Sequence, residues 1–228
     1  MVNCFISEVG SPWKEEEKGP ILVKESQGIE WLKTQGIKWG VPALSFETIN
    51  FNDRKDIVLA NIPNPDNPGR IHAWIAEYVL HAAGYEDIYP LYDSLKKKYN
   101  VDNVLFLFFA NKSGHDFAQS TSTRVASYNR ENFVEGTLVY NVYWDTGKDL
   151  CTGTIIHEIL HLYGAWDMYK PSPNEVEERV SSLYKNSIML HDRRDNLSYT
   201  LIDPLTAWRI GWSKNYYDWF EIFRKRRK

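Results

Sequence analysis

The sequence predicts an α+β protein, and three observations carry that prediction. Residues 103–110, NVLFLFFA, form a continuous apolar run of strand length, the pattern of a strand buried on both faces. Residues 136–143, GTLVYNVY, are rich in β-branched and aromatic side chains and give a second strand. Residues 150–167, LCTGTIIHEILHLYGAWD, then switch to a helix, with Ile155, Ile156, Ile159, Leu160 and Leu162 as buried positions around it. Strands, then one apolar helix, then a less regular C-terminal part is the order along the chain.

Within residues 1–40, Gly10-Ser11-Pro12 and Lys18-Gly19-Pro20 are turn signals, and Ile21-Leu22-Val23 suits a short strand. Residues 41–51 and 56–60 have strand composition, and the three prolines between Asn61 and Gly69 mark a loop. Residues 70–84 read as a helix with Ile71, Trp74, Ile75, Tyr78 and Val79 on one face and Gly84 ending it. A second helix runs from about 87 to 99 and stops at Asn100. His72 and His81 are separated by about 900° of helical rotation and cannot share an ion. His115-Asp116 reads as part of a turn, with a second, structural metal site as the alternative. Residues 121–128, TSTRVASY, alternate weakly and suit an exposed edge strand. Asp145-Thr146-Gly147 is the turn into the apolar helix, and Thr152 or Thr154 would cap its start. Beyond Pro171 and Pro173, residues 174–185 suit a short amphipathic helix capped by Asn174.

At 228 residues and 26.7 kDa the chain fits a single domain, 1–228, with lobes of about 1–167 and 168–228. Its nine Trp and fourteen Tyr suit a protein that also grips something through its surface. The net charge of −3 conceals an asymmetry, because Arg224 to Lys228 are all basic and the rest of the chain is strongly acidic. An acidic body argues against a nucleic-acid groove, and the basic tail reads as a solvated end. No apolar run is long enough for a transmembrane helix, and the N-terminus lacks the pattern of a signal peptide. That combination is the expectation for a cytoplasmic protein, or for one exported by a route that leaves no cleaved signal. Cys4 and Cys151 alone make no disulfide framework.

The chemistry concentrates in His157-Glu158-x-x-His161, followed by Gly164 and Asp167. On a helix, histidines four apart share a face, so both imidazoles reach one metal ion. Glu158 is rotated by about 100° from its neighbour, away from the ligand face and towards the place of a water-activating base. Gly164 lets the chain leave the helix with positive φ, and Asp167 returns as a third ligand. Two histidines and a carboxylate with one position open make a catalytic zinc site. A bare H-E-x-x-H arises by accident in roughly one chain in a hundred of this length, and the later Gly and Asp lower that by about two orders of magnitude.

The pattern H-E-x-x-H-x-x-G-x-x-D resembles the metzincin metallopeptidase signature, in the variant with Asp as last ligand carried by snapalysin-like and immune inhibitor A-like peptidases. Ser187-Ile188-Met189 resembles the Met-turn beneath the metal in that clan, and Leu205-Thr206-Ala207-Trp208 with Gly211-Trp212 is similar to an immune inhibitor A-like pattern. Together these cover about residues 150–212. The resemblance implies a metzincin-like zincin domain: a twisted, mostly parallel sheet with an antiparallel edge strand, a long active-site helix and a Met-turn. Residues 121–128 would be the strand that pairs with substrate.

The implied activity is a zinc-dependent endopeptidase acting on protein or peptide substrates as a monomer, with Glu158 as general base and Met189 as a hydrophobic floor. His191 stands where astacin-like relatives carry a Tyr near the metal, so it is a candidate catalytic donor to a developing oxyanion, with Tyr199 a second. Two alternatives stand beside this reading. One is another zincin hydrolase, thermolysin-like or aminopeptidase-like, taking its third ligand from Glu175, Glu177 or Glu178. The other is a non-catalytic metal-binding interaction module of the same fold.

Overall fold

The computed structural model describes residues 1–62, 75–119, 134–169 and 174–224. In chain order the elements are β1 (Val2–Glu8), α1 (Glu15–Lys38), β2 (Ile49–Asn50), β3 (Ile57–Leu59), α2 (Ile75–Ala82), α3 (Tyr89–Tyr99), β4 (Leu105–Gly114), β5 (Phe117–Gln119), β6 (Glu135–Tyr143), α4 (Thr152–Leu162), α5 (Glu175–Leu183), α6 (Pro204–Arg209) and α7 (Phe220–Arg224). The result is a mixed α/β structure with a mostly parallel sheet. The chain divides into two compact units, Met1–Val23 with Ser45–Leu150, and Lys24–Leu44 with Cys151–Lys228.

The first unit holds the sheet, ordered β2-β1-β4-β6-β5, with β3 also paired to β1. All its pairings are parallel except that of β5 with β6. β4 lies between β1 and β6, which explains the unbroken apolar composition of its first six residues: Leu105 to Ala110 are all buried, and the polar Asn111 to Ser113 come where the cover thins. Phe106, Phe108, Leu138, Tyr140, Ile6 and Leu80 belong to one core cluster.

β1 is just as buried but was not legible as a strand, because Asn3 and Ser7 interrupt its apolar run. The expected strand at Ile21-Leu22-Val23 is instead part of α1. Three glutamates in the first turn complement the helix dipole there, and Pro20 lies inside the helix without ending it. Lys18 is buried against Asp56 at 3.0 Å and donates to the Arg54 carbonyl at 2.6 Å. Those bonds tie α1 to a left-handed turn in which Asn52, Asp53 and Arg54 have φ of 47°, 50° and 67°.

Only Ile49–Asn50 and Ile57–Leu59 of the expected strands at 41–51 and 56–60 are paired. α3 ends as the sequence indicates, with Asn100 in the left-handed region at φ 51°. The proposed edge strand at 121–128 lies outside the described residues, as do the loop beyond Ile62, the first residues of the 70–84 helix and the basic residues 225–228. No helix among the described residues is long and apolar enough to cross a membrane.

The second unit is built around α4, of whose 11 residues all but His161 are buried. The resemblance implies a longer helix. α1 approaches it at Gly28, where an added Cβ would meet Ile156 at 2.5 Å and force that side chain to move. Trp31 of the same helix and Trp39 just past its end donate to the carbonyls of Leu197 and Ile202 at 3.1 and 3.2 Å. The expected threonine cap of α4 is corrected by the structure. Cys151 occupies the cap position and its side chain does not cap the helix, and the Thr152 amide is satisfied by Asp195 Oδ1 at 3.0 Å from a distant loop.

Candidate metal centre

α4 places His157 and His161 one turn apart, with ring centroids 4.6 Å apart and Nε2 atoms 3.0 Å apart. The helix then closes in a Schellman motif. Gly164 takes φ of 99°, its amide donates to His161 O at 2.9 Å, and the Ala165 amide donates to Leu160 O at 3.0 Å. This turn reverses the chain so that Asp167 Oδ1 lies 3.1 Å from both Nε2 atoms. His157, Glu158 and His161 also gather potential ligand atoms within 4.8 Å of one another. The structure thus brings together four of the five residues nominated from sequence.

The outer nitrogens fix the tautomers. Nδ1 of His157 faces Ile188 O at 3.1 Å, and Nδ1 of His161 faces Ala165 O at 3.0 Å. A carbonyl oxygen only accepts, so both Nδ1 atoms carry the hydrogen, and each neutral ring presents its Nε2 lone pair inward. Two lone pairs and a carboxylate oxygen therefore converge within 3.1 Å. That arrangement is repulsive unless a cation lies among them. A tetrahedral zinc ion with ligand bonds of about 2.0–2.1 Å sets donor atoms roughly 3.3 Å apart, so the three atoms fit such an ion with little movement.

The proton is the other cation that can serve. Burial disfavours a charged His157, but the hydrogen bond and charge of Asp167 outweigh it and raise its pKa to about 8. Burial likewise opposes ionisation of Asp167, yet the charge of His161 and the bonds from both rings hold its carboxyl well below the usual range.

The floor of the site comes from Ser187-Ile188-Met189, all fully buried. Ser187 Oγ donates to Asp203 Oδ2 at 2.6 Å and accepts from the Met189 amide at 3.1 Å. Asp203 also caps α6, accepting from the Thr206 amide at 3.0 Å and from Thr206 Oγ1 at 2.6 Å. Since Ile188 O lies 3.1 Å from Nδ1 of His157, this network bears directly on a candidate ligand. Met168 N donates to Met189 O at 2.9 Å, joining the turn that carries Asp167 to the same segment.

Sequence reasoning missed Tyr169. Its ring stacks on His157, with centroids 6.0 Å apart and planes at 20°. Burial raises its pKa first, and the charges of Asp167, Glu158 and Asp192 raise it further, so it stays a protonated phenol. A tyrosine two residues beyond the last acid of the motif was the available signal, but it lies on an irregular stretch where no periodicity marks it.

His191 is exposed, and its pKa is lowered by burial of part of the ring and by Arg194, with Asp192 opposing. Tyr199 is 78% exposed. Glu175 and Glu178, the rival third ligands described, are exposed on α5. Away from this centre, His115 Nδ1 accepts from the Trp144 indole at 3.0 Å and Asp116 accepts from the Tyr140 amide. Those bonds fit the turn reading of the pair.

No protein-family profile matches the chain, and no curated protein matches it. Among solved structures, it is similar to a chain described as the crystal structure of metalloproteinase-II from Bacteroides fragilis, with a TM-score of 0.42 and 12% identity. The likeness covers 92% of this chain and 51% of that one, so the chain spans about half the length of that protein.

Proposed function

We propose that the chain is a zinc-dependent endopeptidase of the metzincin type, with His157, His161 and Asp167 as ligands and Glu158 as general base. The observation that carries this reading is the inward convergence of two Nε2 lone pairs and Asp167 Oδ1, at 3.0–3.1 Å, with each ring held from behind by a main-chain carbonyl. Bound there, zinc would act as a Lewis acid, polarising a peptide carbonyl and making water acidic near neutral pH.

Glu158 is a buried carboxylate next to a ligand on the helix. It takes the proton from the attacking water and passes it to the leaving amine as the peptide bond breaks. Tyr169, protonated and beside His157, donates to the scissile carbonyl oxygen as negative charge develops on it. His191 is the second candidate for that donation, through its place two residues after Met189. Met189 forms an apolar floor under the ligands and takes no part in proton transfer. Substrates are proteins or peptides.

The test is metal content by plasma mass spectrometry together with hydrolysis of casein, on wild type, Asp167→Ala and Glu158→Gln. Wild type and Glu158→Gln should each hold about one zinc per chain, and Asp167→Ala should lose it. Proteolysis should fall at least about 100-fold in Glu158→Gln. Zinc retained by Asp167→Ala would move the third ligand towards the acids at 175–178. Full activity of Glu158→Gln would sink the general-base assignment.

A further inference from the structure

The turn that delivers Asp167 is gripped from α6, and we infer that Arg209 is a positioning residue for the metal ligands. The inference rests on the reading of His161 and Asp167 as ligands. Arg209 Nε donates to Gly164 O at 3.0 Å, and the guanidinium lies over the Trp166 ring at 4.1 Å from its centroid. Trp208, the neighbour of Arg209 on α6, packs edge-on against Trp166 with centroids 6.5 Å apart.

These contacts bracket Ala165. On one side the hydrogen bond fixes the Gly164–Ala165 peptide, and on the other the cation–π contact fixes the ring of Trp166. Ala165 supplies the carbonyl that receives His161 Nδ1, and Asp167 follows Trp166 directly. One side chain thereby sets both the carbonyl that orients one ligand and the approach of another.

A hydrogen bond from the planar guanidinium and a stack of the same group define the turn in two directions. The Schellman bonds already close the helix, so Arg209 is not needed to end it. Its effect falls on where Ala165 O and Asp167 Oδ1 point. Groups that bond a ligand directly change metal affinity by about 10–100-fold when removed, and Arg209 acts on such a group, the Ala165 carbonyl, from one step further out.

The experiment measures the Kd for Zn2+ by competition with a chelator on metal-free wild type, Arg209→Met, Arg209→Lys and Asp167→Ala. The visible absorption of the Co2+-loaded forms and the melting temperature without metal are recorded alongside. Arg209→Met should weaken Zn2+ by about 10–100-fold and shift the Co2+ bands. Arg209→Lys keeps a cation near Trp166 but lacks the Nε donor in its plane, and should still weaken Zn2+ by about tenfold. If Arg209→Met does not fold, Arg209→Lys carries the test alone.

A wild-type Kd in a folded Arg209 variant overturns the inference, even where its metal-free melting temperature falls, since that pattern is a purely structural role. Loss of Zn2+ in Asp167→Ala beside an unchanged Arg209 variant leaves the ligand reading standing and removes only this inference. A wild-type Kd in Asp167→Ala removes both.

Discussion

Asp203→Ala should be among the most destabilising single substitutions in the second unit. The carboxylate is fully buried and accepts three hydrogen bonds, from Ser187 Oγ, Thr206 Oγ1 and the Thr206 amide. A hydrogen bond to a charged group contributes roughly 1.5–3 kcal/mol net, and the N-cap component alone about 1 kcal/mol. The three are coupled and do not add fully, so the expected loss is about 3–5 kcal/mol. Two buried hydroxyls would also lose their acceptor, which keeps the cost in the upper part of that range. Asp203→Asn preserves the volume and one acceptor oxygen, and should lose only about 1–2 kcal/mol. The assay is urea unfolding of metal-free protein followed by tryptophan fluorescence, paired with Zn2+ affinity. Because Ser187 also holds the Met189 amide, and Ile188 O holds His157, the Asp203→Ala protein should bind Zn2+ at least about tenfold more weakly. A loss below about 1 kcal/mol with unchanged affinity would refute the view that this carboxylate organises the floor.

Tyr169→Phe should keep its zinc and lower kcat about 10–100-fold with little change in KM, as for loss of a donor to a developing oxyanion. An unaltered kcat there, with a drop in His191→Ala, would transfer the role to His191. Gly153→Ala should destabilise by about 1–3 kcal/mol, because an added Cβ collides with the Asp192 carbonyl oxygen; an unchanged urea midpoint would contradict that packing. pH dependence gives the last prediction. The folded pKa of His157 is raised from 6.5 to about 8, so the metal-free protein gains stability that is complete below about pH 6.5 and is lost as pH rises through 8. A rise of that size corresponds to about 2 kcal/mol, read as the difference in urea stability between pH 6 and 9. Asp167→Asn should abolish most of the difference, and identical pH profiles for the two proteins would disprove the pairing.

The candidate centre was legible because a helix converts spacing into geometry. His157 and His161 four apart, then Gly164 where the chain must reverse, leave few placements for Asp167, and the structure brings it to both rings. β4 was equally plain over Leu105–Ala110, where both faces are buried and no polar residue interrupts the run; its continuation to Gly114 was not, because Asn111, Lys112 and Ser113 are polar and only partly covered or exposed. β1 and α1 were not legible. Asn3 and Ser7 are polar yet fully buried, and Gly19, Pro20 and Gly28 argue locally against a helix that packing nonetheless stabilises. Asp195 and Asp203 were invisible for another reason. Each acts on residues far away in sequence, on the Thr152 amide in one case and Ser187 in the other, and no local pattern encodes such a partnership.

The two imidazoles are backed by main-chain oxygens, those of Ile188 and Ala165, and not by side chains. No substitution at 188 or 165 deletes the supporting atom, so what constrains those two buried positions is the packing that fixes the path of the backbone. The orientation of the two rings is thus written in the trajectory of the main chain and not in the letters at 188 and 165.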